Sequence, residues 1–270
     1  MASVPQPAQA DDVLYDVADQ VATITFNRPD QQNTISGPML GALSEYLLKA
    51  NEDPDVRAIV IAGSGRFFCA GLDLRGGGIA SGLSNQTSGP SNLDLRNTPP
   101  TVLHSLDTPT ICALNGSAAG YGMDLALGCD IRIMADTAKM AAAFTARGVV
   151  PESGGTWILP RLLGWSKAAE IIFTGRTLPA DECERLGLVS RVVPADETVA
   201  AAQALGREIA ANAPLAVQAS KRMMRMGMNE TFNDHVHHVY LQLLPLFRSE
   251  DFREGMASFM EKRKAEFKGR

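Results

Sequence analysis

A chain of 270 residues is long enough for one large domain or two small ones. An apolar fraction of 45% can fill a sizeable core. With 25 basic and 30 acidic residues the net charge is −5, which argues against a general nucleic-acid surface but leaves room for an anionic small ligand met by local lysines or arginines. The cysteines Cys69, Cys112, Cys129 and Cys183 form no CxxC pair and read as buried free thiols of a reducing compartment rather than as a zinc site. The first dozen residues have no basic region followed by an apolar core, and no apolar run approaches the ~20 residues of a membrane span, so a soluble cytoplasmic protein is the expectation.

In chain order, residues 1–11 are rich in Pro, Gln and Ala and read as a loose tail, part of a flexible segment 1–12. Val21 to Phe26 alternates like a strand, and Asn27-Arg-Pro-Asp30 is turn chemistry. Ser36 and Pro38 suit the start of a helix that carries Met39, Leu40, Leu43, Tyr46 and Leu47 and stops at Asp53-Pro54. Ala58–Ala62, Thr110–Leu114 and Ile131–Met134 are short apolar runs suited to strands buried on both faces. Residues 75–98, rich in Gly, Ser and Asn, form a long loop placed to serve as an active-site lid. From about Ser166 the chain is mostly helical: 166–173, 181–187, 198–212, 214–226, 232–247 and a charged helix over 250–268 with Phe252, Met256, Phe259 and Met260 on one stripe. The class is α/β, with repeated strand–strand–helix units over a core domain at 13–195 and a helical region at 196–270.

Two segments carry the most chemistry: Phe68-Cys-Ala-Gly-Leu-Asp-Leu74 and Asn115-Gly-Ser-Ala-Ala-Gly-Tyr-Gly-Met-Asp-Leu125. Each reads as a strand end, a glycine turn and a helix start, and such a turn leaves backbone N–H groups without an intrahelical partner. Two facing turns would make an anion site. Other chemistries fit less well. Gly120-Tyr-Gly122 is half of a dinucleotide fingerprint, and Pro151-Glu-Ser-Gly-Gly155 has proline where a nucleophile elbow needs glycine. Of His235, His237 and His238, only the first and last share a helix face, with no acidic partner at a fitting spacing. Met223, Met224, Met226 and Met228 read as adaptable packing.

The two turns resemble those of the crotonase superfamily, the enoyl-CoA hydratase/isomerase family. Agreement extends to Phe26-Asn-Arg-Pro29, Thr108-Pro109, Cys129-Asp-Ile131, Pro151–Thr156 with Leu159-Pro-Arg161, Thr174-Gly175, Gly187-Leu-Val189 and Glu261–Lys264 with Phe267, and so covers nearly the whole chain from residue 13. The resemblance implies a spiral of strand–strand–helix units, an acyl-CoA thioester as substrate, and no cofactor besides the coenzyme A that belongs to it. It places the two amides that hold an enolate oxygen at Leu72 and Tyr121, where the family often has glycine at the second position. The two glutamates of the hydratases map onto Asp124 and Phe144. Phenylalanine cannot activate water, so two-glutamate hydration is compromised. Glu152 stands where some isomerases of the family carry their acid. The implied reaction is a double-bond shift with Glu152 as base and Asp124 as helper; hydration through Asp124 and Glu152, or CoA-ester binding without catalysis, are the alternatives. Asp124 also fits a helix-start cap, and Glu152 an ordinary surface turn. Asp73 reads as a brace for its own turn and Asp130 as structural. Expected CoA contacts are Arg28, Ala70, Gly71, Leu72, Asp73, Leu74 and Gly120, with Lys264 and Phe267 reaching in from a neighbouring subunit of a homotrimer or homohexamer.

Overall fold

The computed structural model describes residues 11–73 and 96–270. The expected lid at 75–98 and the expected tail lie almost wholly outside these residues, as does Leu74. Strands β1 (Val13–Ala18) and β2 (Val21–Phe26) form an antiparallel hairpin. Its two-residue turn puts Asp19 and Gln20 at φ 50° and 64°, the left-handed backbone that such tight hairpins require. β2 then pairs in parallel with β3 (Ala58–Gly63), β3 with β5 (Thr110–Leu114), β5 with β7 (Ile131–Ala135) and β7 with β10 (Arg191–Val193), giving a six-stranded sheet in the order β1-β2-β3-β5-β7-β10. A second sheet collects the short strands β4 (Phe67–Cys69), β6 (Ser117–Ala119), β8 (Lys139–Ala141) and β9 (Thr177–Pro179). Strands β3, β5 and β7 of the large sheet are each followed by a short strand, β4, β6 and β8, before the chain turns into a helical segment, which is the strand–strand–helix repeat expected.

The apolar runs explain the layering. Ile59 and Ile61 point into the main core beneath α1 (Gly37–Glu52), while Ala58, Val60 and Ala62 point to the opposite face. That face is covered by α7 (Thr198–Ala210), whose Ala202 is fully buried there, so core packing continues past residue 195. The remaining helices are α2 (Pro99–Ser105), α3 (Tyr121–Gly128), α4 (Gly155–Leu163), α5 (Trp165–Thr174), α6 (Ala180–Arg185), α8 (Pro214–Gly227), α9 (Phe232–Leu246) and α10 (Glu250–Glu261).

Two expectations at the C-terminus change. The last helix ends at Glu261, where Lys262 takes a left-handed φ of 55°, and residues 264–270 fold back instead of continuing it. The Lys268 and Gly269 N–H groups donate to the Asp251 carboxylate at 2.6 and 2.8 Å, so the return is built on that buried acid at the start of α10. The second change is that Glu230, in the turn before α9, lies 3.2 Å from His235 Nδ1 and 2.9 Å from His238 Nδ1. Helical spacing does not count a partner that lies outside the helix. No helix among the described residues is long and apolar enough to cross a membrane.

Candidate active site

The two glycine turns stand side by side. Ile35 N–H donates to the Gly71 carbonyl and Asp73 N–H to the Ile35 carbonyl, both at 2.9 Å. In such extended pairing successive residues face opposite ways, so Leu72 N–H turns to the other edge, and it has no acceptor among the described residues. Across from it, Gly120 opens α3 at φ 53°, ψ −124°, a conformation closed to other residues. Its own N–H is taken by the Ala141 carbonyl at 3.0 Å, and Tyr121 N–H, first in the helix, has no acceptor among the described residues. Gly71, at φ 108°, sits so near this turn that a Cβ on it would lie 3.0 Å from the Ala119 carbonyl oxygen and 3.8 Å from Tyr121 N. Gly122 is fixed likewise, because a Cβ there would overlap the Cys69 carbonyl.

A cavity of about 760 Å³ opens on these amides. Its lining includes the apolar residues Ala70, Leu72, Ala119, Tyr121, Ala143, Phe144, Val149 and Val150 and the polar residues Asp30, Gln31, Gln32, Thr34 and Asp73. Glu152 lines it, as do Gly71, Gly120, Arg147 and Gly148. Partial burial raises the carboxyl of Glu152 above its ordinary value, while the residue keeps an exposed face. Phe144 brings a buried ring to the wall where the second acid of a hydratase was sought.

Asp124 is placed differently from the helper role expected of it. It is 2% exposed and absent from the cavity wall. Its Oδ2 accepts Gly155 N–H at 3.2 Å, so the carboxylate caps α4 rather than its own helix. Burial pushes its carboxyl up to about 7; the nearby Glu152 charge adds to the rise, and the Gly155 and Ser153 amides oppose it. The buried phenol of Tyr121 is also raised, by desolvation first and then by Cys69, Glu152 and Asp124.

Of the expected CoA contacts, Ala70, Gly71, Leu72, Asp73 and Gly120 border the cavity. Arg28 stands behind the wall: its Nη1 donates to the Thr34 carbonyl at 2.8 Å and its Nη2 to Asp73 Oδ2 at 3.3 Å, while Asp12 lies 3.8 Å from Nε. The Asp73 carboxylate therefore reaches Arg28 across 45 positions of chain. Lys264 is exposed on the returning tail, and the Phe267 carbonyl accepts from Arg57 at 2.6 Å; neither borders this cavity within one subunit. Sequence reasoning missed Arg147, Val149 and Val150, whose only signal was their place between Phe144 and Glu152. It also missed Gly155, whose signal was the doubled glycine. Asp130 is structural, accepting Thr110 N–H at 2.7 Å and pairing with Lys221 at 2.7 Å.

Parallel strand–strand–helix units that bring two glycine turns together at one cavity define the crotonase fold. The family model described as enoyl-CoA hydratase/isomerase matches residues 16–270. The chain is 35% identical to 1,2-epoxyphenylacetyl-CoA isomerase of Escherichia coli, over 96% of this chain and 98% of that one. It is 33% identical to short-chain-enoyl-CoA hydratase of Clostridium acetobutylicum, over 97% and 100%. The crystal structure of enoyl-CoA hydratase from Bacillus anthracis superimposes with a TM-score of 0.85 at 31% identity, covering 96% of this chain and 100% of that one. This protein belongs to the enoyl-CoA hydratase/isomerase family.

Proposed function

We propose that the enzyme shifts the double bond of an enoyl-CoA thioester, with Glu152 as the proton-transferring base. The observation that carries this reading is what stands at the three positions where the family carries an acid: Glu152 lines the cavity, Phe144 lines it without a carboxylate, and Asp124 is buried away from the wall. The thioester oxygen sits between the Leu72 and Tyr121 amides. Glu152 takes a proton from C2, the amides hold the dienolate oxygen, and Glu152 returns the proton at C4. One preorganised amide donor is worth about 3–4 kcal/mol in such a step, and a carboxyl raised by burial suits a base working near neutrality.

Names of relatives do not choose between reactions, because one is called an isomerase and another a hydratase. The residues favour isomerisation: hydration uses two carboxylates about a water, and the two positions that hold them in hydratases are here Phe144 and an Asp124 buried away from the cavity. The polar lining residues Asp73, Gln31 and Gln32 suit the nucleotide portion of CoA. Helices α8 to α10 leave Met224, Phe232, Tyr240, Leu244, Phe259 and Met260 exposed, an apolar surface suited to self-association. A homotrimer or homohexamer that buries it would bring Lys264 and Phe267 toward a neighbour's CoA. The free cysteines suit the cytoplasm.

The test is to mix the enzyme separately with a 3-enoyl-CoA and with crotonyl-CoA and follow absorbance of the conjugated thioester. Isomerisation raises it in the first mixture, and hydration lowers it in the second. Glu152→Gln should lose nearly all turnover while still binding the CoA ester; retained turnover rejects the assignment.

A further inference from the structure

The short carboxylate on α3 touches neither the cavity nor a local helix end, and the hydrogen bond it accepts from Gly155 N–H crosses to α4. The fit there is close: a Cβ on Gly155 would lie 2.9 Å from Asp124 Cγ and 3.0 Å from Oδ2. Gly154, at φ 103°, is the N-cap of α4 and offers no side chain, so Asp124 supplies from a distance the acceptor that a cap residue would supply locally. Ser153 N–H also acts on this carboxyl. The two backbone groups it engages therefore flank Gly154 and lie one and three positions after Glu152.

We infer that Asp124 is a positioning residue, whose carboxylate fixes the Glu152–Gly155 turn through the backbone of Ser153 and Gly155 and so aims Glu152 into the cavity. This inference rests on the reading of Glu152 as base. It removes Asp124 from proton transfer and gives it a mechanical task that an uncharged acceptor can share. Asparagine keeps one oxygen for the Gly155 amide; alanine keeps none. A group that handled protons would show no such preference, because asparagine would be as inert as alanine.

The experiment compares Asp124→Asn, Asp124→Ala and Glu152→Gln in turnover of a 3-enoyl-CoA and in amide hydrogen exchange over residues 153–156. Asp124→Ala should lose about 100-fold in kcat with KM nearly unchanged, the cost of a misaimed group, and its 153–156 amides should exchange faster. Asp124→Asn should restore kcat to within about tenfold of wild type and restore protection. If Asp124→Asn is as inactive as Glu152→Gln with its exchange still protected, Asp124 moves protons itself and the inference is overturned. Full activity in Asp124→Ala overturns it as well. Activity in Glu152→Gln overturns the base assignment, whereas exchange in the Asp124 variants still reports whether that carboxylate holds the turn.

Discussion

The contribution of the Tyr121 amide can be isolated by two substitutions that share every loss but one. Tyr121→Ala and Tyr121→Pro both remove the buried ring, a loss of roughly 3–5 kcal/mol in stability for an aromatic core residue. Only proline also removes the N–H. At the first position of a helix that N–H has no intrahelical partner, and proline's fixed φ suits the position. Gly120 before it has no Cβ to meet the proline ring. The two variants should therefore unfold within about 1 kcal/mol of each other yet differ in catalysis by the worth of one oxyanion donor, roughly 100- to 1000-fold in kcat. Steady-state rates with a saturating 3-enoyl-CoA measure the difference, urea unfolding supplies the stability control, and calorimetry with a CoA ester shows that both variants still bind. Equal kcat values in two variants of equal stability would refute the placing of a developing negative charge at this amide.

Further outcomes are expected elsewhere. Asp124 titrates at about 7 in the fold against an ordinary 3.8, so folding takes up a proton between those values; its stabilising share is complete below pH ~4 and is lost as the pH rises through ~7. The stability of wild type relative to Asp124→Asn, measured by urea unfolding across that range, should fall by up to roughly 4 kcal/mol, and a flat difference would show that Asp124 ionises normally. Arg132 is buried and donates to the Cys129 and Leu127 carbonyls at 2.6 and 3.2 Å and to the Leu188 carbonyl at 2.5 Å, closing the C-terminal end of α3. Arg132→Met should cost on the order of 3 kcal/mol in thermal or urea unfolding, since carbonyls are left without donors. Phe144→Glu adds a carboxylate to the cavity that Glu152 lines and should raise hydration of crotonyl-CoA by about 100-fold or more, followed as loss of the conjugated absorbance.

Much of this arrangement was legible in the sequence because it depends on backbone. Glycines that must take left-handed angles or sit against another main chain, such as Gly71, Gly120 and Gly122, cannot be other residues, so the two turns announced themselves. The apolar runs at 58–62 and 110–114 marked strands buried on both faces for the same local reason. β1 escaped notice because Leu14 and Val17 are exposed, which breaks the alternation, and because its turn is made by Asp19 and Gln20 without glycine. The overlong last helix came from the charged run past Met260: the apolar stripe ends there, but no proline or glycine marks the place where Lys262 reverses the chain. Least legible was the aim of side chains. Asp124 lies where a catalytic acid belongs, three residues after Tyr121, and only the approach of α4, thirty-one positions on, turns it away from the cavity.

That approach ties two positions into one packing unit. A longer acid at 124 would have to find room where the Gly155 backbone now stands, and any side chain at 155 would meet the carboxylate already in place. Lengthening the acid at 124 therefore asks α4 to shift, at the expense of the turn that presents Glu152, whereas a change at Phe144, which lines the cavity itself, leaves the Asp124–Gly155 pair in place.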